Sequence, residues 1–146
     1  VNEALAELDE VDGVMCGNDA IAGYAIKALS EKQMAGKVVV TGQDADLEAC
    51  QRIVEGTQAM TVYKPIERLA KVAAKCAVKL AKGEQIVGKD IGENSVKDTD
   101  DGREVPYWGL PPIAVTKENM DSVIIDLGFH LHDEVYLNVP EENNQD

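Results

Sequence analysis

Apolar positions along the chain alternate between two periods. Val1 to Leu8 carries Ala4, Leu5 and Leu8 on one helical stripe. Asp12-Gly13 then punctuates, and Val14-Met15-Cys16 reads as a short buried strand. After Gly17-Asn18-Asp19, a helix is predicted from Ala20 to about Lys32, with Ile21, Ala25, Ala28 and Leu29 inward and Asp19 as its N-cap. Val38-Val39-Val40 is a second strand, and its unalternated run predicts cover on both faces. The pattern repeats. A loop over Thr41 to Asp44 leads to a helix capped by Asp46, with Leu47, Cys50 and Val54 inward and Gly56-Thr57 at its end. Ala59 to Tyr63 is a third strand. Pro65 opens a third long helix, which runs to about Lys82 with Ile66, Leu69, Ala70, Ala73, Ala77, Leu80 and Ala81 on one face.

Strand, loop and helix thus recur three times, which is the signature of an α/β fold with a parallel sheet and right-handed crossovers. The rhythm stops after Gly83. Asp90 to Glu104 is polar and turn-rich and predicts a hairpin or an irregular loop. Val105 to Val115 is extended and broken by Pro106, Pro111 and Pro112. Thr116 with Asn119 forms part of a capping box for a helix through Met120, Val123, Ile124 and Leu127 to Gly128. Phe129 to Val139 closes the domain, and Glu141 to Asp146 reads as a frayed acidic tail.

Composition narrows the function. The 146 residues carry 14 Lys and Arg against 27 Asp and Glu, a net charge of −13. Such an acidic chain is a poor partner for a phosphate backbone or an anionic lipid surface, so no nucleic-acid role is expected. No run approaches the ~20 apolar residues of a membrane span. Cys16, Cys50 and Cys76 are scattered and odd in number, so neither a disulfide framework nor a cysteine zinc site is expected. The sequence begins at Val1, inside a predicted element, and shows no signal peptide or lipidation motif.

Ligands of open α/β sheets bind outside the carboxyl ends of the strands. Asn18, Asp44 and Lys64 each follow one of the three strands, so they are expected to converge on one rim. An amide, a carboxylate and an ammonium supply acceptors and donors together, a set suited to vicinal hydroxyls such as those of a sugar. Each residue also has an ordinary structural reading, since Asn and Asp close turns and cap helices and a lone Lys is usually solvated. Other chemistry is weakly supported. There is no phosphate-cradling glycine loop. His130 and His132 stand two apart, followed by Asp133-Glu134, and on a strand both would face one way, but a metal site lacks a third well-placed ligand. Asp98, Asp100 and Asp101 before Gly102 fail the register of a calcium loop, which leaves a turn. No cofactor is implied.

Several stretches carry a family resemblance. Gly17-Asn18-Asp19-Ala20, Gly42-Gln43-Asp44-Ala45-Asp46-Leu47, Arg52 to Gln58 and Met60-Thr61-Val62-Tyr63-Lys64-Pro65-Ile66 resemble the D-xylose-binding branch of the type 1 periplasmic binding proteins. These are the substrate-binding components of sugar ABC transporters. Val105-Pro106, Pro112 to Asn119 and Gly128-Phe129-His130 match the C-terminal portion of that family, and the likeness reaches about Tyr136. It implies flavodoxin-like three-layer lobes joined by a hinge, with a mainly parallel sheet and a monosaccharide in the cleft. Residues 1–64 and about 112–139 would belong to the C-terminal lobe, and about 65–111 to the N-terminal lobe. Lys64 and the Pro111–Val115 segment would be hinge crossings, and Trp108 matches no sugar-contacting position. The positions matching Asn18, Asp44 and Lys64 touch the sugar in that family.

The resemblance implies binding of a pentose, D-xylose first, and delivery to a permease without chemistry. The location would be extracytoplasmic, in the periplasm or at the cell surface as a lipoprotein. The likeness covers only the C-terminal part of family members, which implies half of a binding site. It also leaves the helix over 66–81 without its native cover and open to pairing with a second copy. Two rival classes stand beside this one. The first is the effector-sensing domain of a sugar-responsive transcription regulator, which shares the fold. The second is a small enzyme using Asp44 and Lys64 as acid and base, for which no nucleophile or cofactor motif is present.

Overall fold

The computed structural model describes residues 1–8, 10–86, 96–98, 100, 102–106 and 109–140. The expectations for Trp108, Asp101, much of the 90–104 stretch and the acidic tail at 141–146 lie outside the described residues. The helices are α1 (Asn2–Glu7), α2 (Asp19–Glu31), α3 (Leu47–Glu55), α4 (Ile66–Ala81) and α5 (His132–Val135). The strands are β1 (Gly13–Met15), β2 (Val39–Thr41), β3 (Thr61–Tyr63), β4 (Val96–Asp98), β5 (Glu104–Pro106) and β6 (Ile113–Val115). The chain divides into two compact units, Val1–Tyr63 with Ile113–Asp146, and Lys64–Pro112.

In the first unit β1 and β2 pair in parallel, with Gly13 opposite Val39 and Met15 opposite Thr41. A parallel bridge between Thr41 and Met60 joins this ladder to the start of β3. Gly42 N donates to Met60 O at 3.0 Å and Asp44 N to Val62 O at 2.9 Å, which extends the pairing past the end of β2. β6 closes the far side antiparallel to β3, with Thr61 opposite Val115. Two apolar clusters flank these strands. One gathers Cys16, Ala22, Ala25, Ile26, Leu29, Val38 and Val40 under α2. The other gathers Cys50, Ile53, Val54, Tyr63, Val115, Met120, Ile124 and Val135 around α3 and α5. Each large aliphatic among them contributes about 1.5–3 kcal/mol by leaving water.

Several predicted details are corrected. Val38 and Val40 enter the α2 cluster, but Val39 is 54% exposed and Met15 is 92% exposed. The strand is therefore covered on one face among the described residues, and the Val run is not the mark of a two-sided strand here. α2 is capped by Asn18, whose Oδ1 accepts from Ile21 N at 2.9 Å, and Asp19 is instead its first helical residue. The buried stripe is Ala22, Ala25, Ile26, Ala28 and Leu29, and Ile21 is 52% exposed. Asp46 precedes α3 without a side-chain capping bond, and Gly56, at φ 88°, ends that helix in the left-handed conformation.

The helix expected after Thr116 is a 3-10 turn, Lys117–Asn119, followed by a π-helical turn, Asp121–Ile125. Thr116 N donates to Asn119 Oδ1 at 2.8 Å, and Asp126 N donates five residues back to Asp121 O at 2.8 Å. The wider turn keeps Met120 and Ile124 buried and leaves Leu127 63% exposed. His130 and His132 do not share a strand, because His132 opens α5 and stacks on Tyr136 with ring centroids 4.5 Å apart.

The second unit holds α4 and an antiparallel β4–β5 pair, with Val96 opposite Pro106. α4 starts after Pro65 and stops before Gly83, whose φ is 73°. No residue of α4 is buried, and Ile66, Leu69 and Leu80 of the predicted stripe are about half exposed or more.

Candidate functional site

The loops after β1 and β2 are tied together. Cys16 N donates to Thr41 O at 3.0 Å and Asp19 N to Gln43 O at 2.9 Å. In return Gln43 Nε2 donates to Gly17 O at 2.9 Å. Asn18 and Asp44 are thereby brought to neighbouring positions on the carboxyl edge of parallel strands, where α/β folds bind ligands. A cavity of about 340 Å³ lies on this edge, lined by Met15, Cys16, Gly17, Thr41, Gln43 and Val62 among others. A cavity of about 400 Å³ lies off the strand ends, between α2 and α3, beside Tyr24, Lys27 and Arg52. The smaller one coincides with the interlocked loops and is the better candidate.

Asn18 does two things at this edge. Its Oδ1 is committed to the α2 cap, while its amide retains two N–H donors. The structural reading of Asn18 as a helix cap is therefore correct and leaves room for a ligand.

Asp44 and Ala45 are consecutive non-glycine residues in the left-handed region, with φ of 105° and 56°. Such a conformation costs of order 1–3 kcal/mol per residue and persists only where its surroundings impose it. Three bonds impose it here. Ala45 N donates to Thr61 Oγ1 at 3.1 Å, His130 Nε2 donates to Ala45 O at 2.8 Å, and Asp46 N donates to Asp19 Oδ2 at 3.0 Å. Because a carbonyl only accepts, the His130 contact requires a proton on Nε2. Phe129 backs His130 at 4.6 Å between ring centroids and meets Tyr63 edge-on at 4.9 Å. The Asp44 side chain is left exposed at the rim.

The charge around this loop is negative. Burial pushes the Asp46 carboxyl above its ordinary range, and Asp19, Asp44 and Glu48 push it further, with partial relief from Arg52. A cluster of this sign suits donors such as hydroxyl groups rather than anions. Among the described residues no group of three or more His, Cys, Asp or Glu could hold a metal ion. Lys64 follows β3 directly, is exposed, and is the first residue of the second unit.

Sequence reasoning missed the support beneath the rim. Asp19, Gln58 and Thr61 are all buried, and Arg52 binds two of them. Gly42 belongs to the same support, since a Cβ there would lie 2.0 Å from Asp19 Oδ1. Two signals were available. Thr61 and Gln58 are polar residues at or beside a strand that is otherwise apolar, and Asp19 stands next to a residue equally able to cap.

Parallel strands with interlocked polar loops at their carboxyl edge are the arrangement at which α/β folds bind ligands. Comparison with known proteins carries this to a family. A family model described as a periplasmic binding protein domain matches residues 1–85, more than half of the chain. The D-xylose-binding periplasmic protein of Haemophilus influenzae is 47% identical over 135 residues, and that of Escherichia coli 44% over 134. Both alignments cover 92% of this chain and 39% of the relative. A carbohydrate transporter solute binding protein from Chloroflexus aurantiacus, solved with D-glucose, superposes with a TM-score of 0.75 at 27% identity over 91% of this chain and 38% of that one. The chain belongs to the periplasmic binding protein family. It spans about two fifths of the length of the relatives it matches.

Proposed function

We propose that this chain is the C-terminal portion of an extracytoplasmic sugar-binding protein that delivers a monosaccharide to an ABC transporter permease, without chemistry of its own. Asn18, Asp44 and Lys64 are the sugar contacts in this reading. The observation that carries it is Asp44, held in a strained left-handed loop at the carboxyl edge by three converging hydrogen bonds. A carboxylate accepts from two adjacent hydroxyls at once, and the Asn18 amide and the Lys64 ammonium donate to others. Identity of 47% to a D-xylose-binding periplasmic protein supports a pentose, D-xylose first. It also favours transport over the regulator reading.

Val1–Tyr63 with Ile113–Asp146 would be the C-terminal lobe, and Lys64–Pro112 would belong with the N-terminal lobe, so that Lys64 stands at a hinge. The apolar face of α4 would pack on that lobe, or on a second copy of this chain where the lobe is missing. Half of a cleft leaves one sugar face hydrated, so the chain alone binds weakly.

Calorimetry on the full-length protein tests the reading. D-xylose should bind more tightly than D-ribose or D-glucose, and Asp44→Ala should weaken it by about tenfold or more, as expected for a charge-assisted hydrogen bond. Absence of heat with all three sugars, or an Asp44→Ala protein of unchanged affinity, would refute it.

A further inference from the structure

The Asp19 carboxylate is 1% exposed, and donors from three other parts of the fold converge on it. Gln58 Nε2 donates to Oδ1 at 2.9 Å. Thr61 Oγ1 donates to Oδ2 at 2.7 Å, and the backbone N of Asp46 donates to the same oxygen at 3.0 Å. Arg52 closes the far side, with Nε donating to Gln58 Oε1 and Nη2 to the main-chain carbonyl of Asp19, both at 3.0 Å. The polarity of the chain is forced. A guanidinium only donates, so the Gln58 oxygen faces Arg52 and its NH₂ faces residue 19. A backbone N–H only donates as well. Position 19 must therefore accept on both oxygens, which a carboxyl does and an amide cannot.

We propose that Asp19 is the positioning residue of the ligand edge. Through Thr61 Oγ1, which also accepts from Ala45 N, it fixes the amide of Ala45, and through Oδ2 it fixes the amide of Asp46. These two amides follow Asp44 directly, so one buried carboxylate holds the loop that aims the exposed one. Stability alone is a poor reason for such a charge, because a buried ionic group is often replaceable by apolar packing without loss. The proposal rests on Asp44 being a sugar contact.

The forced polarity supplies the test, made on the full-length protein with D-xylose as probe. Asp19→Asn sets an NH₂ against the Gln58 NH₂ and should raise Kd about tenfold. Adding Gln58→Glu gives both Arg52 and the new amide an acceptor, at the loss of the Gln58 Nε2 bond to Met60 O, and should return Kd to within about threefold of the parent. The amide resonances of Asp44 and Ala45 should move in Asp19→Asn and return in the double variant, with no sugar present. Thr61→Val, near in shape but without the hydroxyl, should shift the same resonances and weaken binding, and serves should Asp19→Asn fail to fold. Folded Asp19→Asn or Thr61→Val protein with unchanged Kd and unmoved resonances, and only a lowered Tm, overturns the proposal. Moved resonances beside an Asp44→Ala protein of unchanged affinity would uphold the positioning and overturn Asp44 as a contact.

Discussion

Gly42→Ala should destabilise the chain far beyond an ordinary surface substitution. The added Cβ would lie 2.0 Å from Asp19 Oδ1, 2.8 Å from Gln58 Nε2 and 3.2 Å from Asp19 Cα. The carboxylate cannot step aside without breaking its bonds to Gln58, Thr61 and Asp46. The Cα distance means that the first turn of α2 must move too. Overpacking costs about 1–3 kcal/mol, and each lost hydrogen bond to a buried charge about 1.5–3 kcal/mol. A total of about 3–5 kcal/mol follows if one such bond is lost outright. With a urea dependence of about 1–3 kcal/mol per molar, the midpoint followed by circular dichroism should fall by about 1–3 M. Removing the obstructing oxygen with Asp19→Ala should make Gly42→Ala much cheaper, with a coupling of about 1 kcal/mol or more. A loss under about 1 kcal/mol for Gly42→Ala alone, or additive effects in the pair, would show that the close approach is not what glycine serves here.

Asn18→Ala should cost about 1 kcal/mol of stability through the lost α2 cap and weaken sugar binding less than Asp44→Ala, because a neutral amide bonds more weakly than a carboxylate; equal effects on affinity in calorimetry would contradict the ranking. Burial, with Asp19 and Asp46 nearby, pushes the Cys50 thiol up to about 12, and burial also raises Cys16, so a disulfide reagent at pH 8 should label half-buried Cys76 first in the native chain. Cys50 labelled as fast as Cys76 would be the contrary result. Asp46 has a raised pKa and so holds its proton more tightly folded than unfolded; stability falls as pH rises through that raised value, and Asp46→Asn should raise Tm at neutral pH with the gain disappearing in acid. A Tm gain confined to low pH would reverse that sign. Light scattering on the chain alone should show self-association through α4, lost in Leu69→Glu with Leu80→Glu; a parent that stays monomeric at micromolar concentration contradicts it.

The periodicity of α2, α3 and α4 is legible in the sequence because a single apolar stripe and a strong end signal coincide in each. Gly56 and Gly83 mark two of those ends. Spacing alone brings out Asn18 and Asp44, since each follows a strand by one loop. What stays hidden depends on neighbours far along the chain. Asn18 and Asp19 are equally good caps, and only the burial of Asp19 against Gln58 and Thr61 decides between them. Val39 reads as core in a run of valines, but one side of the strand has no cover among the described residues. The π-turn after Met120 has no local signature, because it follows from packing Met120 and Ile124 into the α3 cluster. The left-handed Asp44-Ala45 pair is nearly as silent, since Asp tolerates a positive φ without requiring it and Ala disfavours it.

The most direct test of the central claim is a titration of isotope-labelled full-length protein with D-xylose, followed by amide chemical shifts. The account predicts saturable shifts concentrated at Gly17, Asn18, Gln43, Asp44 and Lys64, and their loss in Asp44→Ala. Shifts centred instead on Tyr24, Lys27 and Arg52, or none at all at millimolar sugar, would contradict it.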